Sequence, residues 1–227
     1  MMIKVTAVVA VLSILMVTGM FQNSCSLADA SAVAIPDPKL DAQLAATKSE
    51  QTAVFAGGCF WGVEAVFDHT KGVVKAESGY AGGSADDAEY YTVASGRTGH
   101  AESVRVVYDP SQITYGKLLK VFFAVAHDPT ELNRQGPDVG PQYRSAIFFT
   151  TDEQKRIAES YIQQLNEAKV FSNKIATQVA PLNAFYEAEG YHQNYLVNHP
   201  DEPYIVYNDM PKLLNLKKHL PELFKDK

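Results

Sequence analysis

The succession of apolar patterns between residues 51 and 149 is the feature that most constrains the fold of this chain. The pattern runs strand, helix, strand, strand, helix, strand, with segments at residues 53–56, 59–69, 72–80, 101–108, 115–126 and 145–149. This order is the split βαβ arrangement, in which an antiparallel sheet packs against helices. We therefore predict an α+β fold, a ferredoxin-like two-layer αβ sandwich with additional C-terminal helices and long loops.

The first thirty residues are predicted to be a cleavable signal peptide. Lys4 precedes an uncharged, mostly apolar run over residues 5–21, and Ala28 and Ala30 are the small residues that a signal peptidase recognises. The alternative is an uncleaved membrane anchor, but the run is near the lower length limit for spanning a bilayer. We expect a periplasmic or extracellular protein with no stable membrane insertion after processing.

The rest of the chain is expected to form one domain preceded by a short arm. Residues 31–50 are rich in alanine, contain Pro36 and Pro38 and show no strong period, which is typical of a linker or a loosely docked arm. Apolar and aromatic residues become denser from residue 51, so we assign residues 51–227 to a single folded domain. Cleavage at residue 30 also removes Cys25 and leaves Cys59 as the single cysteine.

Composition excludes several classes of protein. Hydrophobic residues make up 46% of the 227 residues and charged residues 20%, which is typical of a globular protein rather than a disordered one. The net charge of -6 and the lack of a dense basic run argue against nucleic-acid binding. The chain's 2 cysteines are too few for a disulfide scaffold or a cysteine-rich zinc site.

Cys59 is the first candidate for chemistry. It follows two glycines and precedes a predicted helix, where unpaired N–H groups and the helix dipole stabilise a thiolate. This position predicts a lowered thiol pKa and a nucleophile. The alternative is a buried structural cysteine, which is the commoner fate of a free thiol.

Glu102 is the second candidate, because it shares a strand face with apolar residues. In the strand at residues 100–108 it alternates in phase with Val104 and Val106, so we expect it to point inward. Burial raises the pKa of a carboxyl group, and a neutral carboxylic acid can donate a proton. Two other interpretations of Glu102 are together equally good: it lies at the solvent-exposed end of the strand, or it forms an ion pair with an arginine.

The long polar stretch over residues 127–144 contains further candidates, Asp128 and Asp138. A loop of this length in a compact domain is usually functional. We interpret His127 as part of a helix end before a proline rather than as a catalyst. His192 and His199 are seven positions apart, and core or capping roles suit them better than a shared metal site.

Eight short motifs follow one another along the chain: GCFWG at residues 58–62, GYAGG at 79–83, TGHAE at 98–102, VYDP at 107–110, HDPT at 127–130, NRQGPDVG at 133–140, QYRS at 142–145 and YHQ at 191–193. In this order they resemble the peptide methionine sulfoxide reductase A family. The resemblance spans residues 54–196. It implies a reductase of methionine S-sulfoxide, acting on oxidised proteins and on the free amino acid, with residues 51–227 as the catalytic domain.

The resemblance also implies roles for individual residues. Cys59 would attack the sulfoxide sulfur and Glu102 would protonate the sulfoxide oxygen. The substrate-binding residues would be two tyrosines that hydrogen-bond this oxygen, a supporting aspartate, and two aromatic residues around the substrate methyl group: Tyr90, Tyr143, Asp138, Phe60 and Trp61. Neither a metal nor a bound cofactor is implied.

The C-terminus departs from the family pattern. Many relatives carry resolving cysteines there, whereas residues 195–227 contain none. The resemblance therefore implies a one-cysteine enzyme, a monomer, whose Cys59 sulfenic acid is reduced by an external thiol such as thioredoxin, glutaredoxin or a small thiol. Two other classes of protein are compatible with these residues. One is an exported, aromatic-rich binding module whose cysteine is structural, and the other is a thiol peroxidase.

Overall fold

The computed structural model describes residues 35–227. The predicted signal peptide and Cys25 lie outside these residues. Within residues 35–227, no helix is long and apolar enough to cross a membrane.

A six-stranded mixed sheet forms the centre of the domain. Its strands are β1 (Gln51–Gly57), β2 (Val73–Ala81), β3 (Ala101–Tyr108), β6 (Ser145–Phe149), β7 (Gln178–Pro181) and β8 (Phe185–Glu187). Their order across the sheet is β7-β6-β1-β3-β2-β8. All neighbours are antiparallel except β6 and β7. The inner order β6-β1-β3-β2 is the ferredoxin-like one, so the predicted fold class is confirmed.

Six α-helices and one small hairpin complete the described chain. The helices are α1 (Phe60–Asp68), α2 (Tyr90–Ala94), α3 (Tyr115–Val121), α4 (Asp152–Glu167), α5 (Tyr195–Asn198) and α6 (Met210–His219). The hairpin, β4 (Arg134–Gln135) with β5 (Asp138–Val139), gives the long polar loop a defined shape. A π-helical turn, Ile205–Asp209, leads directly into α6.

Stacked aromatic rings hold the first helix on the sheet. Phe55 of β1 is fully buried, and its ring centroid lies 5.0 Å from that of Phe67 in α1 and 5.0 Å from that of Phe122. Phe122 begins a second π-helical turn, Phe122–Ala126, so the helix predicted over residues 115–126 changes its winding halfway. This packing holds the C-terminal half of α1 against β1.

The two faces of β3 differ less than its sequence pattern suggests. Glu102 and Val104 are buried on one face as expected, but Ala101 and Ser103 on the other face are buried too. A smaller apolar cluster, to which Phe185 contributes, covers that second face. Residues that follow β6 in sequence, Phe185 among them, therefore cover the second face of the sheet.

Residues 35–50 contain no helix or strand and lie against α3 and α4. Ile35 is buried, and the Tyr161 hydroxyl of α4 donates a hydrogen bond of 2.6 Å to the Pro36 carbonyl. The Asp41 carboxylate accepts the backbone N–H of Gly116 at 2.7 Å, in the first turn of α3. An acidic group is favourable there, because it accepts an N–H that has no partner within the helix.

Candidate active site

Antiparallel pairing of β1 and β3 brings the two candidate residues together. The C-terminal end of β1 and the N-terminal end of β3 lie side by side at one end of the strands, because the two strands run in opposite directions. Cys59 follows β1 as the N-cap residue of α1, and Glu102 is the second residue of β3. The Glu102 Oε2 atom accepts the backbone N–H of Phe60 at 3.1 Å.

The turn between β1 and α1 requires glycine. Gly58 has φ of +86°, and a Cβ atom built there would lie 2.5 Å from the Gln135 side chain. A residue without a side chain therefore lets the hairpin loop close over the start of α1.

The predicted acidity of Cys59 is wrong in direction. Cys59 is only 6% exposed, and burial raises the pKa of its thiol well above the ordinary value. The negative charges of Asp209 and Glu102 raise this pKa further. Lys212 and the backbone N–H of Trp61 lower it, but burial outweighs the helix terminus. The resting enzyme therefore holds Cys59 as a thiol.

Glu102 has the properties of a proton donor. It is 3% exposed, and burial raises the pKa of its carboxyl to about 8, helped by the nearby charges of Asp138 and Asp209. The hydrogen bond from Phe60 acts in the opposite direction but is the smaller effect. At pH 7 the carboxyl is mostly protonated, as general acid catalysis requires.

Two tyrosines stand beside the thiol and the carboxyl group. Burial raises the pKa of Tyr90 to about 12 and also raises that of Tyr143. Both phenols are therefore protonated at neutral pH and can donate hydrogen bonds to an oxygen in the pocket. The Tyr204 hydroxyl is already engaged, because it donates to the Asp138 carboxylate of β5.

An aromatic wall lines the other side. Trp61 stacks on Tyr195 with ring centroids 3.8 Å apart, and its Nε1–H donates to His192 Nδ1 at 3.1 Å. The rings of Phe60 and Trp61 lie 6.3 Å apart. His192 and Tyr195 therefore orient Trp61, and His199 packs on the Tyr195 ring.

One cavity of about 250 Å³ lies at this site. Its lining includes all seven site residues expected from the sequence: Cys59, Phe60, Trp61, Tyr90, Glu102, Asp138 and Tyr143. Glu202 and Tyr204 also line the cavity and were not anticipated. Among residues 35–227, no group of three or more histidine, cysteine or acidic side chains is arranged to hold a metal ion.

The remaining candidates of the polar loop lie outside the cavity lining. Asp128 accepts the backbone N–H of Thr130 at 2.9 Å, which shapes the turn after the π-helix. His127 is buried with its Nε2 atom 2.7 Å from the Ser145 hydroxyl, and burial lowers its pKa to about 3. A permanently neutral, enclosed imidazole is a packing residue.

Sequence reasoning did not identify the charged pair behind Cys59. Asp209 ends the π-helical turn, and its carboxylate lies 2.9 Å from the Lys212 ammonium of α6. Both side chains are buried. The one signal in the sequence is an acidic and a basic residue three apart around Pro211, which sits in the first turn of α6.

Comparison with known proteins gives a consistent result. The sequence model of a family described as peptide methionine sulfoxide reductase matches residues 51–223. A peptide methionine sulfoxide reductase of Mesorhizobium japonicum is 59% identical over 182 residues, covering 80% of this chain and 93% of the relative. One from Synechocystis is 50% identical over 193 residues, covering 84% of this chain and 90% of the relative.

Two solved structures are similar in fold. The methionine sulfoxide reductase A of Corynebacterium diphtheriae has a TM-score of 0.58 and 36% identity, covering 76% of this chain and 90% of that one. The reduced form of Mxr1 from Saccharomyces cerevisiae has a TM-score of 0.64 and 35% identity, covering 75% and 96%.

Proposed function

The chain belongs to the peptide methionine sulfoxide reductase family and is an oxidoreductase that reduces methionine sulfoxide, and we propose that Cys59 and Glu102 carry out this reaction on the S epimer. The observation that carries the proposal is the shared cavity, which holds a buried thiol, a buried protonated carboxyl, two phenol donors and an aromatic wall. The phenols suit the sulfoxide oxygen, and the wall of Phe60 and Trp61 suits the methyl group.

The proposed reaction begins at sulfur. The Cys59 sulfur bonds to the sulfoxide sulfur while Glu102 transfers its proton to the oxygen. The proton released by the thiol completes a water molecule, which leaves. A second water then attacks the Cys59 sulfur, methionine departs, and the proton set free returns to Glu102. Cys59 is left as a sulfenic acid and the sulfoxide has gained two electrons.

Recycling requires an external thiol. A thiol attacks the sulfenic acid and releases water, and a second thiol attacks the resulting mixed disulfide and restores Cys59. Glutaredoxin or a small thiol suits this sequence better than thioredoxin, which prefers to reduce a completed protein disulfide. We propose that the oxidised substrates are both proteins and free methionine sulfoxide, and that the enzyme works as a monomer.

The role of Glu102 is tested by Glu102→Gln. The amide keeps the shape of the side chain but has no acidic proton, so we expect the single-turnover rate with methionine S-sulfoxide to fall by roughly 10²–10⁴-fold. Glu77→Gln is the matched control, because Glu77 is a buried carboxyl on the neighbouring strand and pairs with Arg105. We expect it to retain nearly the full rate.

A Glu102→Gln enzyme with the wild-type rate would remove this residue from the mechanism. The same assay with the R epimer and with hydrogen peroxide defines the substrate. A faster reaction with peroxide than with the S-sulfoxide would make the enzyme a thiol peroxidase instead.

We further propose that the enzyme acts outside the cytosol, in the periplasm or the extracellular space. This proposal depends on the signal pattern in residues 1–30. Protein purified from its native envelope should begin near Ser31, as measured by intact mass and N-terminal sequencing. An intact mass that still includes Met1 to Ala30 would favour a retained membrane anchor.

A further inference from the structure

A buried ion pair lies next to the proposed nucleophile, and the proposed reaction does not use it. Asp209 is fully buried and Lys212 is 7% exposed, with 2.9 Å between carboxylate and ammonium. Enclosing two charges is costly unless each has a partner. A pair in this position therefore requires an explanation beyond the packing of α6.

The local backbone places the pair against the first turn of α1. The π-helical turn Ile205–Asp209 directs the Asp209 side chain toward Gly62, where a Cβ atom would lie only 2.3 Å from Asp209 Oδ1. Turns of this kind often occur at functional sites. The carboxylate thus occupies the space that a larger residue three positions after Cys59 would fill.

The contacts of the carboxylate point to the thiol. Asp209 Oδ1 binds Lys212, whereas the buried Oδ2 has no hydrogen-bond partner of standard geometry among the described residues. Cys59 caps the same first turn of α1 against which this carboxylate packs. A nearby negative charge favours the protonated thiol.

Charges of opposite sign therefore act on Cys59. The charges of Asp209 and Glu102 favour the thiol, while Lys212 favours the thiolate. Asp138 is a further carboxylate whose charge acts on both members of the pair.

We propose that Asp209 and Lys212 are positioning residues that control the charge on Cys59. The negative charge of Asp209 keeps the resting residue a thiol. Lys212, held in place by Asp209, is the counter-ion that allows the thiolate to form when substrate is attacked. The inference deepens the proposed function, because it concerns the same nucleophile.

The test reads the thiol directly and needs no sulfoxide. Iodoacetamide reacts with thiolates, so its rate of reaction with Cys59 is measured against pH in the full chain, quantified on the Cys59 peptide by mass spectrometry. We expect Lys212→Met to slow alkylation at least 10-fold at pH 7 and to move the midpoint upward. Asp209→Asn should accelerate it at least 10-fold and move the midpoint downward.

Matched controls are available at an exposed ion pair between α6 and the C-terminal residues. Lys217 of α6 and Asp226 form an exposed pair 3.5 Å apart, so Lys217→Met and Asp226→Asn remove the same charges at the surface. We expect neither to change the alkylation curve. Lys212→Arg keeps the charge and should restore most of the wild-type rate.

Lys212→Met leaves a buried carboxylate unpaired and is the variant most exposed to misfolding. A second comparison avoids this problem, because Asp209→Asn and the double variant Asp209→Asn with Lys212→Met differ only at residue 212. The midpoint of alkylation should be higher in the double variant. Equal midpoints there, or shifts of the same sign in the two single variants, would overturn the proposal.

The two proposals fail in different ways. Unmoved alkylation curves with normal reduction of the S-sulfoxide would refute only the role of the ion pair. The predicted shifts in an enzyme that does not reduce methionine sulfoxide would refute the proposed function and leave the ion pair's control of Cys59 intact.

Discussion

Glu102 illustrates how the burial of one carboxyl group affects both the chemistry of the site and the pH dependence of stability. Its ordinary pKa of 4.5 rises to about 8 in the folded chain, so the folded state resists ionisation. A carboxyl group whose pKa is raised by folding makes its full contribution to the free energy of unfolding below about pH 4.5. That contribution is lost as the pH rises through about 8. The catalytically useful protonated form is thus also the more stable one.

This linkage predicts a pH-dependent difference in melting temperature. Glu102→Gln cannot ionise, so we expect its melting temperature to gain on that of the wild type between pH 5 and pH 8.5. Differential scanning calorimetry across this range measures the difference. In Glu77→Gln no such gain is expected over the same range, because the pKa of Glu77 is lowered by Lys75 and Arg105. Parallel curves for wild type and Glu102→Gln would contradict the prediction.

At this scale, the sequence predicts where the reacting groups lie better than how acidic they are. Local sequence patterns identify the strands β1 and β3. Cys59 follows the end of β1 and Glu102 lies at the start of β3, so the topology of the sheet brings them together. The acidity of Cys59 does not follow, because it depends on burial and on Asp209, which is 150 positions away. No local pattern contains that contact.

The start of α1 and the entry to α6 form a single unit at the scale of elements. Gly62 has no side chain, and the Asp209 carboxylate fills the space beside it. Alanine normally stabilises a helix by about 1 kcal/mol relative to glycine. Here the added methyl group would displace a buried charge.

Gly62→Ala is therefore expected to lose stability rather than gain it. Overpacking of this kind costs typically 1–3 kcal/mol, and the displaced carboxylate should also lower the rate of sulfoxide reduction. Denaturant unfolding and single-turnover assays give the two quantities. Gly190→Ala is the control, because nothing lies within 4 Å of a Cβ atom there. A Gly62→Ala protein more stable than the wild type would show that Asp209 has room to move.

Elements with a steady period are well predicted, and irregular ones are not. The strand predicted at residues 101–108 is present. The capping-box sequence at residues 151–154 predicts a helix start, and the Thr151 hydroxyl does accept the Gln154 N–H. Residues 86–94 read as one short helix in the sequence, whereas the structure divides them at Glu89, which caps α2. The π-helical turn before α6 has no recognised period in sequence, and it places Asp209 against the first turn of α1.

At the scale of the whole molecule, the proposed one-cysteine cycle predicts how turnover ends. Among residues 35–227, Cys59 is the free cysteine, and the sequence beyond it supplies no second thiol. With methionine S-sulfoxide and no reductant, the mature protein should release one methionine per active site and stop. Product quantification and dimedone labelling of Cys59 measure this arrest.

Added small thiols or glutaredoxin should restart the arrested enzyme, and thioredoxin should do so less well. The mature protein is essential here, because Cys25 would otherwise offer a second thiol. Repeated turnover without reductant would rule out the one-cysteine cycle. So would an arrested enzyme that neither reacts with dimedone nor carries a bound thiol.

The docked segment at residues 35–50 also sets the reach of the enzyme. Ile35 is already buried against the domain, so only residues 31–34 separate the predicted cleavage site from fixed structure. A chain that kept the apolar run at residues 5–21 in a bilayer would have thirteen residues, 22–34, between the lipid and Ile35, and these span about 47 Å at most. The catalytic domain would then stay within that distance of the lipid surface. Cleavage would instead let it diffuse to oxidised proteins anywhere in the compartment.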